Sequence, residues 1–281
     1  HQADLMYCAR VVVVAPPLPA VLPALADPLR WHLLAELGES DRRVGELTAA
    51  VGRPQNLVSY HLGVLREAGL VTSRRIAHDG RDTYYRVDLD HCADALRATG
   101  VALHPALRLE PAAAPTSTGT GGTVLFLCTG NSARSQMAEA LLVARSGGTV
   151  DARSAGSHPK PLHPEAVRAM AARGLDIAGN CTKHFDDLAG ERFDAVVTLC
   201  DKVREVCPEF PGAPPGVPRR IHWSMPDPST EGTTPAETRA AFERTADELE
   251  GRIRHLLARL AATDLTAHPT VHPTKERRRA R

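Results

Sequence analysis

Cys128 and Arg134 are separated by five residues, and Ser135 follows. A thiol can attack an electrophilic centre, and a guanidinium can grip two oxygens of a tetrahedral anion at once. Thr129, Gly130, Asn131, Ser132 and Ala133 lie between them, a run of small residues suited to a loop. The apolar run Val124-Leu125-Phe126-Leu127 predicts a buried strand ahead of that loop. Residues 136–142 predict a helix behind it. A loop between a strand end and a helix start turns free backbone N–H groups inward, and the helix dipole adds partial positive charge. The expected object is an oxyanion cradle made by Thr129, Gly130, Asn131, Ser132, Ala133, Arg134 and Ser135, with Cys128 as the nucleophile.

Three more elements fall at loop positions after predicted strands. Cys200 ends the run 196–199, and Cys207 follows seven residues later. Asp227 sits on the proline-braced stretch Trp223-Ser224-Met225-Pro226-Asp227-Pro228. An acid there can protonate a leaving oxygen. A nucleophilic thiol with a pair of thiols nearby suits stepwise exchange through mixed disulfides. Cys181 has no matching role, and His158, His163 and His222 read as loop or packing residues.

These residues need a scaffold. Strands are predicted at 123–127, 149–154, 194–199 and 219–222, with helices at 135–146, 163–173 and 235–261. That alternation predicts an α/β doubly wound parallel sheet, with ligands bound at the carboxyl ends of the strands. Upstream the pattern differs. Asp27-Pro28 opens a helix that stops at Gly38, a second helix spans 44–51, and a third runs from Pro54 to about Ala68. A strand at 70–75, a turn at 78–82 and a strand at 83–87 form a wing, and a helix at 90–99 closes the unit. This predicts a mainly α winged helix-turn-helix domain. The expected layout is a DNA-binding domain over 1–104, a flexible Pro/Ala/Gly/Thr linker over 105–122, a catalytic domain over 123–262 and a basic tail over 263–281.

The chain of 281 residues is 43% hydrophobic, enough for two cores. No apolar run approaches the ~18 residues of a membrane span, so no membrane partner is expected. A cytoplasmic location follows, in which six cysteines read as reactive or sensing thiols before structural disulfides. The net charge is only +1, so DNA contact must come from a local surface.

Asp27-Pro28-Leu29-Arg30, the stretch from Val58 to Val71 and Tyr84-Tyr85-Arg86 resemble the ArsR/SmtB family of metal-responsive repressors. The resemblance implies a homodimer formed through the N-terminal domain, bound to operator DNA and released by a metal or metalloid. The helix from Pro54 then enters the major groove, where Gln55, Asn56, Ser59, Tyr60 and His61 are the contact candidates. Arg74, Arg75 and Arg81 on the wing are placed to meet phosphates. The helix before it lacks the cysteine pair common in arsenic sensors of this family. Cys8 and Cys92 remain as a candidate arsenite site, against the reading that both are small buried apolar residues.

The loop from Cys128 to Glu139, the pair Cys200 and Cys207, and Asp227-Pro228-Ser229 resemble the low-molecular-weight tyrosine phosphatase superfamily, within it the thioredoxin-coupled arsenate reductases. The resemblance implies reduction of arsenate to arsenite by a relay through Cys128, Cys200 and Cys207, with Arg134 binding the anion and Asp227 as acid. Thioredoxin or another thiol donor restores the thiols, and no cofactor is implied. The whole chain then reads as an operator-binding regulator fused to an arsenate reductase. Two rivals stand beside it: a tyrosine phosphatase fused to a regulator, and a transcription factor whose second domain binds an oxyanion without turnover.

Overall fold

The computed structural model describes residues 18–75, 83–108, 122–211 and 219–267, with side chains as far as residue 262. In the first domain Val21–Leu25 (α1) leads into Pro28–Glu39 (α2). The Asp27 carboxylate caps α2, accepting from Leu29 N at 2.9 Å and Arg30 N at 3.0 Å. Val44–Val51 (α3) stops at Gly52, whose φ of 61° is left-handed. Gln55–Glu67 (α4) buries Val58, Leu62 and Leu65 against Leu33, Leu37 and Leu47. Val71–Arg75 (β2) and Thr83–Val87 (β3) pair antiparallel as predicted. The predicted turn at 78–82 lies outside the described residues.

Two features depart from expectation. Arg42–Arg43 (β1) adds a third strand beside β3, too short to announce itself by alternation. The closing helix, Leu89–Leu103 (α5), runs through Gly100 rather than ending before it. None of its residues is fully buried, and Leu96, Val101 and Leu103 are exposed.

The second domain follows the predicted alternation. Thr123–Cys128 (β4), Asp151–Gly156 (β5), Ala195–Thr198 (β6) and Arg219–His222 (β7) make a parallel sheet in the order β5-β4-β6-β7. Arg134–Arg145 (α6), Pro164–Ala171 (α7) and Pro235–Ala267 (α9) pack with it. β4 is central and its apolar run is fully buried, as a strand covered on both faces must be. Phe242, Ala246, Leu249 and Ile253 bring α9 into the same core. A short helix, Asp201–Val206 (α8), lies between Cys200 and Cys207. The sequence reading places no element there.

The two domains meet in a polar seam. Ser40 and Asp41 line the free edge of β7: Asp41 N donates to His222 O at 2.8 Å, and His222 N donates to Ser40 Oγ at 2.8 Å. Arg252 of α9 donates to both Asp41 carboxylate oxygens, at 3.1 and 3.0 Å. Arg74 of β2 donates through Nη2 to Asp201 at 3.0 Å and through Nε to Ser224 O at 3.0 Å. Arg204 of α8 pairs with Glu46 of α3 and donates to Tyr84 Oη at 2.9 Å. Arg86 pairs with Glu248, and Tyr84 packs on the His222 ring with centroids 4.8 Å apart. No helix among the described residues is long and apolar enough to cross a membrane.

Candidate active site and nucleic-acid face

β4 delivers Cys128 to the carboxyl edge of the sheet, and α6 begins six residues later at Arg134. The turn between them is tight. Asn131 takes φ 46°, rare for a residue with a side chain. A hydrogen-bond network stabilises it. Lys183 N donates to Asn131 Oδ1 at 2.9 Å, which fixes the orientation of the amide. Asn131 Nδ2 then donates to Ser135 Oγ and Ser154 Oγ, each at 2.9 Å. The Ser135 hydroxyl hydrogen is left for Cys128 Sγ, 3.0 Å away. Gly156 supports the turn from β5. A Cβ there would lie 2.7 Å from Thr129 O and 2.8 Å from Asn131 N.

No side chain caps α6, so its first-turn N–H groups remain available to a ligand. Arg134 is only 5% exposed. Its Nη1 donates to Met225 O and its Nη2 to Asp227 Oδ2, both at 2.9 Å. Nε is buried without a partner. An orphaned buried donor in a native site calls for an explanation, and an anion in the loop supplies one. Burial raises the proton affinity of Asp227, but the Arg134 charge and two hydrogen bonds from Ser229 outweigh it and hold the carboxyl below its ordinary range. With Arg134 bound to it, Asp227 is ionised and cannot yet donate a proton.

Cys200 is buried at the N-terminus of α8, and its Sγ lies 3.2 Å from Thr129 Oγ1. It lies just past the end of β6, as Cys128 ends β4, and those strands are neighbours, with Leu199 N donating to Leu127 O at 2.7 Å. Cys207 is half-buried at the other end of α8; burial pushes its thiol up, partly offset by the Arg220 charge. Cys92, Cys128, Cys181, Cys200 and Cys207 are all free thiols.

The structure thus gathers Cys128, Arg134, Asp227 and Cys200 around one loop, with Cys207 one short helix away. Cys181, to which the sequence assigns no role, is exposed. Lys160 was missed: its charge also lowers Asp227, and its N donates to Gly130 O at 2.9 Å. Asp201 was missed too. Burial raises its pKa, yet hydrogen bonds from His222 and Ser224 and the Arg74 charge bring it down to about 2. His222 is therefore part of a buried network, beyond the packing role expected of it; its own pKa is lowered by burial, against the pull of Asp201.

On the first domain Gln55, Asn56, Ser59 and Tyr60 are all exposed along α4, Tyr60 at 64%. Arg75 is exposed as well, and Arg81 lies outside the described residues. His61 does not share this face. It is 8% exposed and turned inward, its Nδ1 3.4 Å from Arg30 Nη1 and 3.8 Å from Asp27 Oδ1. The helical step from Tyr60 to His61 carries the side chain off the exposed stripe. Arg74 is held by Asp201 and Ser224 rather than facing solvent. Cys92 is half-buried, with its thiol 3.8 Å from Leu70 O. Burial, and then the Asp88 charge, raise its pKa to about 11. Cys8 lies outside the described residues. Among the described residues no three or more His, Cys, Asp or Glu side chains gather as a metal site.

Residues 123–265 match the family model for low molecular weight phosphotyrosine protein phosphatase, and residues 27–73 match that for bacterial regulatory proteins of the arsR family. An arsenate reductase of Halalkalibacterium halodurans is 40% identical over 131 residues, covering 47% of this chain and 91% of that protein. An arsenate reductase of Bacillus subtilis is 39% identical over 131 residues, covering 47% and 91%. Among solved structures, an arsenate reductase in its oxidized state is 24% identical with a TM-score of 0.42, over 50% of this chain and 98% of that one.

Proposed function

The chain belongs to the low molecular weight phosphotyrosine protein phosphatase family, with an ArsR-type segment ahead of it, and from this premise we propose that it reduces arsenate and binds operator DNA. The observation that carries the reductase reading is the set of three free thiols. Cys128 and Cys200 stand at the ends of adjacent strands, and Cys207 stands beyond α8. A hydrolytic phosphatase needs only the first. The relatives named arsenate reductase support the same choice.

In this reading arsenate enters the loop and takes donors from Arg134, including the unpartnered Nε. Separation from Arg134 raises the proton affinity of Asp227, which then protonates the departing oxygen. The Cys128 thiolate forms a sulfur–arsenic bond as water leaves. Cys200 attacks Cys128 Sγ; a disulfide forms, the sulfur–arsenic bond breaks, and its electron pair stays on arsenic as arsenite departs. Cys207 attacks Cys200 Sγ and releases Cys128 as thiolate. A dithiol donor of thioredoxin type reduces the Cys200–Cys207 disulfide. Closing that disulfide requires α8 to unwind. Seven residue steps across the six-residue helix separate its cysteines by about 10 Å, and a disulfide tolerates a Cα separation of at most ~7 Å.

Cys200→Ser tests the reading. Arsenate turnover should vanish while hydrolysis of an aryl phosphate persists. Undiminished arsenate turnover would refute the relay, and persistent hydrolysis without any arsenate reduction in the unaltered chain would favour the phosphatase. Any turnover at all excludes a purely binding domain.

For the first domain the exposed set Gln55, Asn56, Ser59 and Tyr60 supports major-groove contact, with Arg75 on phosphate. The exposed apolar residues of α5 support a homodimer through this domain, Leu103 being 77% exposed. Arsenite is the proposed inducer, with Cys8 and Cys92 as its proposed thiol ligands. Operator binding with and without arsenite, measured beside Cys92→Ser, tests this part.

A further inference from the structure

Ser224 is one residue from Met225, whose carbonyl accepts from Arg134, and three from Asp227, which accepts from the same guanidinium. What holds Ser224 comes largely from the other domain. Its N donates to Asp41 Oδ2 at 2.8 Å, and its carbonyl accepts from Arg74. Within its own domain its Oγ donates to Asp201 Oδ1 at 2.7 Å. Asp41 is 4% exposed and is itself fixed by the two donors of Arg252, which also lies 5.6 Å from the Trp223 ring centroid. Pro226 and Pro228 stiffen the stretch, so a shift at Ser224 is passed on to Asp227.

We propose that Asp41, a residue of the DNA-binding domain, is a positioning residue of the oxyanion site. It holds Ser224 N, which sets Met225 O and Asp227, which in turn orient Arg134. The DNA-binding domain is then a working part of the enzyme, and the oxyanion affinity belongs to the docked chain. The B. subtilis and H. halodurans relatives are 91% covered by a match of 131 residues, which leaves them no room for a second domain of this size. Asp41 thus has no counterpart to be inherited from them. Any event that loosens the seam weakens oxyanion binding, and by linkage a bound oxyanion strengthens the seam.

The inference rests on reading the Cys128 loop as an oxyanion site, so its test reads binding rather than turnover. In the full chain, inorganic phosphate is titrated against alkylation of Cys128 by iodoacetamide, with modification at Cys128 followed by mass spectrometry. Two double variants are compared. Asp41→Leu with Arg252→Met removes the charge pair together and also the acceptor for Ser224 N. Asp41→Asn with Arg252→Met removes the same pair but keeps an amide oxygen for that N–H. The phosphate concentration giving half-protection should rise about tenfold in the leucine variant and stay within about twofold of the unaltered chain in the asparagine variant. A purely structural role for Asp41 moves both alike, and equal protection in the two overturns the proposal. If the leucine variant fails to fold, Asp41→Ala with Arg252→Met replaces it with less crowding. Absence of protection in the unaltered chain overturns the oxyanion reading and the proposal together; protection there with no difference between variants overturns the proposal alone.

Discussion

The thiol loop and the domain seam are both buried and polar, but they are held by different forces. The loop is held mainly by neutral hydrogen bonds around Asn131 and by the absence of a side chain at Gly156. Its ion pair, Arg134 with Asp227, is half open to solvent on the acid side and is available for exchange with a ligand. The seam adds to its backbone hydrogen bonds a set of charge pairs: Asp41 with Arg252, Asp201 with Arg74, Glu46 with Arg204 and Glu248 with Arg86. Neutral networks depend little on pH and salt, whereas ion pairs depend on both and on burial. The loop backbone should therefore keep its shape under conditions that loosen the seam, whereas the Arg134 side chain, oriented through Met225 and Asp227, should not.

The largest effect that breaks this contrast is expected at Arg252. Arg252→Ala leaves the Asp41 carboxylate buried without its partner, and global stability measured by urea unfolding should fall by about 3–5 kcal/mol. On the loop side, Gly156→Ala sets a Cβ against the backbone of Thr129 and Asn131. Its cost should be about 1–3 kcal/mol in stability, together with loss of phosphate protection at Cys128. A next, smaller effect is set by acid. Asp201 titrates near 2 in the folded chain against 3.8 ordinarily, so its contribution is complete above about pH 4 and is lost as pH falls toward 2. That contribution is roughly 2 kcal/mol, and Asp201→Asn should flatten the acid limb of a stability-against-pH profile. The smallest effect is expected at Asp90, whose pairs with Arg254 and His255 lie at the exposed rim. Asp90→Asn should change stability by less than about 1 kcal/mol, and a larger loss would show that the rim matters as much as the buried pairs.

The same contrast explains what could be read from the sequence. The loop is built from contiguous residues, so Cys128, Arg134 and the flanking strand and helix predict it together. Cys200 was legible because it follows an apolar run and Asp227 because it stands between prolines, while Cys207 stood out only by its spacing from Cys200 and by the resemblance. The winged domain was legible through Asp27-Pro28, the α4 stripe and the β2–β3 pair. His61 was misplaced because a single helical step separates an exposed side chain from a buried one. The seam was not legible at all. Asp41, Arg74, Asp201, Ser224 and Arg252 are ordinary polar residues scattered over more than two hundred positions, and only the docking of two domains makes them partners. Arg74 shows this most plainly, since on the wing alone it reads as a phosphate contact. β1 and α8 escaped for another reason: two and six residues are too few to carry a period.

α8 belongs to both regions. Cys200 and Cys207 stand at its two ends, and between them lie Asp201, which holds Arg74, and Arg204, which holds Glu46 and Tyr84. An intact helix and a disulfide between its end cysteines exclude one another on geometry. The same segment therefore cannot carry an oxidised pair and complete both of its clasps on the winged domain at one time. In the proposed relay, each pair of electrons stored as the two thiols of α8 is matched by a grip on the wing, and each pair given up is matched by a release.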